Sequence, residues 1–145
     1  MEAERPMIFS IQLDGPTPIY EQIVAQVIYA VAVGTLEAST FIPSVRELAE
    51  QLRVHPNTVA RAFHELERAG VVTPRRGRGM VVMERAPATC KIKRQELVRG
   101  RMRQAMREAA ASAMPPEEIR RLVEEELAAL QGMRQPREKI DGKRH

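Results

Sequence analysis

Between residues 43 and 82 the sequence sets out two short amphipathic helical patterns, a tight turn between them and a basic, glycine-bearing hairpin. Ser44 and Glu47 have the spacing of a capping box, in which the hydroxyl and the carboxylate each satisfy a free backbone N–H. Val45, Leu48, Ala49 and Leu52 then share one face. Arg53-Val54-His55 reads as a turn, and Pro56 suits the first turn of a second helix, where a missing N–H removes no hydrogen bond. Val59, Ala62, Phe63 and Leu66 recur at helical spacing, and Gly70 stands where a left-handed C-cap is needed. Residues 71–74 and 80–83 read as short strands around Arg75, Arg76, Gly77, Arg78 and Gly79. Helix, turn, helix and hairpin in this order outline a winged helix-turn-helix. The expected fold class is therefore mainly α (α+β), with a small hairpin wing followed by a short helical segment.

The flanking sequence is plainer. Residues 8–13 alternate loosely and stop at Asp14-Gly15-Pro16, which predicts a short strand. Thr17 reads as an N-cap with Pro18 at the first helical position. Ile19, Ile23, Val27 and Val31 predict a helix ending near Gly34. Residues 84–90 read as a linker. Residues 91–114 predict a helix with Val98, Met102, Ala105, Ala109 and Ala113 on one stripe. After Pro115 and Pro116, a further helix aligns Ile119, Leu122, Val123, Leu127 and Leu130. The polar stretch 132–145 is expected to be disordered. The predicted organisation is thus a winged domain over 8–83, a linker over 84–90, a helical segment over 91–131 and a tail.

Composition narrows the function classes. The net charge is +4, yet the first half of the chain contributes none of it, because acids slightly outnumber bases before residue 84. Placement matters more than total: Arg46, Arg53, Arg61, Arg75, Arg76 and Arg78 all fall in the proposed reading unit, where local clustering neutralises phosphates. The chain has one cysteine, Cys90, so neither an intrachain disulfide nor a thiolate metal cluster is available. That suits a reducing cytoplasm, with nucleoid association following from DNA binding. The N-terminus lacks a signal-peptide pattern and no apolar run is long enough to span a bilayer, so no membrane role is expected. His55, His64 and His145 lack a nucleophile partner and metal-binding spacing. No catalytic residue, metal site or cofactor is expected.

The second helix of the unit places Asn57, Arg61, His64 and Arg68 on one face, opposite its apolar side. Asn pairs bidentately with adenine and Arg with guanine, while Thr58 in the first turn suits a phosphate or a thymine methyl. His55 suits a helix cap or a phosphate neighbour. Gly77 and Gly79 permit close backbone approach at the hairpin tip, and Arg75, Arg76 and Arg78 suit a narrow minor groove. Arg46 faces outward from the supporting helix. The competing readings are a solvated helix face for the polar ridge, and an intrahelical pair with Glu50 for Arg46.

These blocks resemble the GntR family of bacterial transcription regulators, in particular its small YtrA-type members. The resemblance covers about residues 8–83 and rests on PIYEQI, IPSVRELAEQL, NTVARAFHELERAG and RRGRGMVV in that order. It implies DNA contacts at Arg46, Asn57, Thr58, Arg61 and the wing from Arg75 to Gly79. It also implies repression, often of transport operons, and a double-stranded operator bound by a homodimer. The sequence departs from the family at Ala38-Ser39-Thr40, where a Pro-Gly-Asp turn is usual, and at Arg53, where Gly or Asn would be easier.

Residues 91–131 are too few for a large effector-binding domain and resemble a short dimerisation tail. Its candidate interface is Leu97, Val98, Met102, Ala105, Met106, Ala109, Ile119, Leu122, Val123, Leu127 and Leu130. The alternative is that both helices fold back on their own DNA-binding domain. A small-molecule effector of unidentified chemistry stays open. So do two rival functions: a winged-helix protein-interaction module, and a redox or metal sensor using Cys90, whose thiol Lys91 and Lys93 could acidify.

Overall fold

The computed structural model describes residues 9–143, with side chains described as far as Met133. In order, the elements are α1 (Ile19–Ala32), α2 (Val45–Leu52), α3 (Pro56–Arg68), β1 (Val72–Arg75), β2 (Gly79–Val82), α4 (Ala86–Ala111) and α5 (Pro116–Lys143). The chain divides into two compact units, Met1–Val98 and Arg99–His145.

The first unit is built around α3, which packs against both α1 and α2. Val59, Ala62, Phe63 and Leu66 of α3 are buried with Ile23, Val27 and Val31 of α1, Leu48 and Ala49 of α2, and Val71, Val72 and Val82 from the hairpin. Each fully buried aliphatic or phenyl side chain contributes about 1.5–3 kcal/mol relative to exposure, so this face fixes α3 firmly. No buried polar or charged residue interrupts the core among the described residues.

The Ser44–Glu47 capping box is present: Glu47 N–H donates to Ser44 Oγ at 3.1 Å and Ser44 N–H to Glu47 Oε1 at 3.0 Å. Arg53 adopts φ 58° and ψ 47°, the left-handed conformation that turns the chain from α2 into α3. His55 caps α3, its Nδ1 accepting from Asn57 N–H at 3.0 Å.

The expected strand over 8–13 is not formed among the described residues: Ile8 lies outside them, and residues 9–12 belong to no strand or helix. Their main chain is satisfied instead by two side-chain amides one helical turn apart on α1. Gln26 accepts from Ser10 N–H and donates to Ser10 C=O, at 2.9 and 2.8 Å. Gln22 does the same for Gln12, at 2.8 and 2.9 Å. Primary amides thus mimic an edge strand. Nor does Thr17 cap α1. Pro18 takes the N-cap position, without a side-chain hydrogen bond, and Thr17 C=O accepts from Gln22 Nε2 at 2.8 Å.

The hairpin pairs Val72 with Val82 and Arg75 with Gly79, leaving Arg76, Gly77 and Arg78 at its tip. Arg78 N–H closes the turn on Arg75 C=O at 2.9 Å, with Gly77 at φ +72° and Gly79 at +99°. The free edge of β2 is covered by the loop that departs from the family pattern. Ser39 N–H donates to Val82 C=O at 2.8 Å, Val82 N–H to Thr40 C=O at 2.9 Å, and Ile42 N–H to Met80 C=O at 3.1 Å. Ser39 reaches this position at φ 69°, where the usual glycine is missing.

Residues 84–90 do not form a linker. After a turn at Glu84 and Arg85 the chain enters α4 at Ala86, and both Ala86 and Cys90 are fully buried in the core of the first unit. Pro87 is compatible with this because it sits in the first helical turn, where its missing N–H breaks no hydrogen bond. In the second unit, Ala113 at φ 67° and a Met114 N–H to Ala109 C=O bond of 3.2 Å end α4, and α5 begins at Pro116. Of the tail expected to be disordered, residues 132–143 continue α5 to Lys143, and residues 144–145 lie outside the described residues.

Burial raises the Cys90 thiol from 9.0 to about 11, with Lys93 opposing the shift only in part. Because the folded value exceeds the unfolded one, the associated stability is complete below 9.0 and is lost as pH rises towards about 11. Thermal melts of wild type and Cys90→Ala should therefore converge across that window. Iodoacetamide should alkylate the native thiol far more slowly than the urea-unfolded one.

Candidate nucleic-acid interface

Because the core holds one side of α3, the opposite side is exposed. Asn57, Arg61, His64 and Arg68 are all exposed there, and Thr58 is half-buried in the first turn. His55 is exposed at the N-cap. Its Nδ1 is used as an acceptor, so the neutral ring carries its proton on Nε2, free to donate outward. Arg46 is exposed on α2, and Arg75, Arg76, Gly77, Arg78 and Gly79 are exposed at the hairpin tip. Among the described residues, none of these guanidinium groups forms an ion pair; the pair found there joins Arg121 and Glu125 in α5. The Arg46–Glu50 bridge considered from sequence is not formed. A polar ridge and a basic tip with no internal counter-ions can hydrogen-bond to base edges and neutralise phosphates without first breaking a salt bridge.

Two aromatic residues that were not foreseen as site residues sit beneath the arginines. The Arg61 guanidinium lies 3.8 Å from the centroid of the Tyr20 ring, and its Nη2 donates to Tyr20 Oη at 3.2 Å. Arg78 lies 5.7 Å from the ring centroid of Phe41, which is exposed on the loop that pairs with β2. The available signal was scarcity: with two tyrosines and three phenylalanines in 145 residues, an aromatic residue away from the core pattern is informative.

Cys90 has no access to solvent, and no group of three or more His, Cys, Asp or Glu suited to a metal occurs among the described residues. Its thiol is shifted away from reactivity, opposite to the acidification by Lys91 and Lys93 considered from sequence. No described helix is long and apolar enough to cross a membrane.

Helix, left-handed turn, exposed second helix and basic hairpin define a winged helix-turn-helix of the DNA-binding class. Comparison with known proteins agrees. Residues 19–82 match the bacterial regulatory proteins of the gntR family. Over 124 residues the chain is 34% identical to the HTH-type transcriptional repressor YtrA of Bacillus subtilis (strain 168), covering 84% of this chain and 95% of that one. It is similar in structure to a transcriptional antiterminator from Listeria monocytogenes EGD-e, with TM-score 0.64, 30% identity, and 83% and 90% of the two chains covered. It is also similar to YtrA from Sulfolobus acidocaldarius, a GntR-family transcription factor, with TM-score 0.51, 28% identity, and 85% and 99% covered. The chain belongs to the GntR family and is of its YtrA type. It is a DNA-binding transcription regulator, not an enzyme.

Exchanging Arg75, Arg76 and Arg78 together for alanine is expected to flatten the salt dependence of duplex binding. The slope of log K against log salt should fall by up to about 0.9 for each phosphate no longer neutralised. Fluorescence anisotropy across a salt series measures it.

Proposed function

We propose that this chain is a homodimeric repressor that binds a near-palindromic operator in the cytoplasm, in association with the nucleoid. α3 enters the major groove, with Asn57 and Arg61 reading base edges and His64 beside them. Thr58, His55 and Arg46 contact the backbone, and the tip from Arg75 to Gly79 reaches the adjacent minor groove. The observation that carries this reading is the ridge on α3: four polar side chains without counter-ions, on the face opposite the one that the core holds. An occupied operator blocks polymerase. Release requires an effector that binds one geometry of the dimer better than another.

Homodimerisation is supported by what the helices leave uncovered. Met102 and Met106 of α4 and Leu122, Leu127 and Leu130 of α5 are exposed, as is Val98, while Ile119, Val123 and Ala109 are half-buried. An aliphatic stripe of this extent is a surface for association. Leu97 stands apart from the rest of the candidate interface, because it packs against the core of the first unit.

Arg61→Ala should weaken operator binding by about 1–3 kcal/mol and remove the preference at one base pair per half-site. Selection from a random duplex pool, followed by anisotropy on the selected site, tests this; equal weakening on every duplex would make Arg61 a phosphate contact instead. For the dimer, Leu122→Glu combined with Leu127→Glu in the full chain should shift sedimentation to the monomer and sharply lower operator affinity. A persistent dimer would move the interface away from α5.

A further inference from the structure

We propose that Tyr20 is a positioning residue for sequence reading: from α1 it holds the Arg61 guanidinium in the orientation that meets a base edge. The inference rests on the reading of Arg61 as a base contact. Arg61 projects from an exposed helix face, where a long side chain samples many rotamers and binding must select one. Here the selection is made in the free protein. The ring of Tyr20 covers one face of the guanidinium at 3.8 Å, and its hydroxyl accepts one N–H at 3.2 Å. A guanidinium carries five N–H donors in its plane, so stacking on one face and using one donor leaves the remaining edge for guanine O6 and N7.

Tyr20 is itself anchored. It is half-buried and packs against the core beside Ile19 and Ile23, while its hydroxyl donates to the Glu21 carboxylate at 3.3 Å. The Tyr20 seat therefore moves with α1, and α1 is fixed to α3 through the buried faces of both helices. Arg46, Arg75 and Arg76 have no such seat among the described residues, and Arg78 lies farther from its ring, at 5.7 Å. The arginine placed to read a base is the one held most closely.

The test uses the full chain and a duplex carrying the consensus that wild type selects from a random pool. It also uses that duplex with each base pair exchanged in turn, and an unrelated duplex. Tyr20→Leu should weaken consensus binding about two- to fivefold. It should flatten discrimination at the base pair whose preference Arg61→Ala removes, and leave the unrelated duplex unaffected. Tyr20→Phe, which keeps the stack, should recover most of the loss. In the Arg61→Ala background, Tyr20→Leu should have no further effect on consensus binding.

Equal weakening on all duplexes, or additive losses in the double variant, would reduce Tyr20 to packing and overturn the proposal. Tighter binding by Tyr20→Leu would also overturn it, since the ring would then be sequestering Arg61. Should Tyr20→Leu not fold, NMR of the wild-type chain decides. Arg61 Nε must be more ordered than Arg46 Nε in the free protein and keep its ring-current shift when the duplex is added. Disappearance of that shift on binding overturns the proposal. If Arg61→Ala itself leaves binding unchanged, the base-contact reading fails; if Arg61→Ala weakens binding and Tyr20→Leu does not, only the positioning role fails.

Discussion

The two-sidedness of α3 governs the rest of the molecule. One stripe, Val59, Ala62, Phe63 and Leu66, is wholly enclosed by α1, α2 and the hairpin. A helix held along one stripe cannot rotate about its axis without exposing that stripe, at a cost of several kcal/mol on the area scale of hydrophobic burial. The outward ridge is therefore fixed as a consequence of the core, even though none of its side chains contributes to that core. Interior packing and the outward polar ridge follow from one rotational setting.

Polar structure completes what the core begins. The turn into α3 requires a left-handed residue, which Arg53 supplies, and His55 satisfies a free N–H of the new helix. Residues 39–42 pair with β2 and cover an edge that would otherwise present unpaired backbone groups to other chains. The same loop places Phe41 below Arg78, just as α1 places Tyr20 below Arg61. Among the described residues, aromatic faces and not carboxylates are the partners of these two cations, which leaves their charge unneutralised.

The start of α4 changes how the DNA-binding domain ends. A free linker would let the chain leave that domain at any angle. Ala86 and Cys90 instead belong to the core of the first unit, and the division between units falls within α4, after Val98. The first turns of α4 are thus part of the same packed body as α3.

Much of this was legible in the order of residues. The capping box, the spacing of apolar residues in α2 and α3, Gly70, and Gly77 and Gly79 at the hairpin tip are local signals, and the structure places each where its own chemistry requires. The ridge of Asn57, Arg61, His64 and Arg68 follows from helical periodicity once the buried side is known. Other features were not legible because their partners are distant in the chain. An alternating run at 9–12 resembles a strand, but whether it pairs with a strand or with the amides of Gln22 and Gln26 is settled only by what lies beside it. Alanine, proline and threonine around residue 87 suggest a linker until the core offers Ala86 and Cys90 a place. Tyr20 and Arg61 are separated by 41 positions. Sequence alone determined the periodicities, caps and turns, because these depend on near neighbours. Tertiary structure decided which aromatic ring each arginine meets and where the helical segment begins, because those depend on burial, which no residue achieves alone.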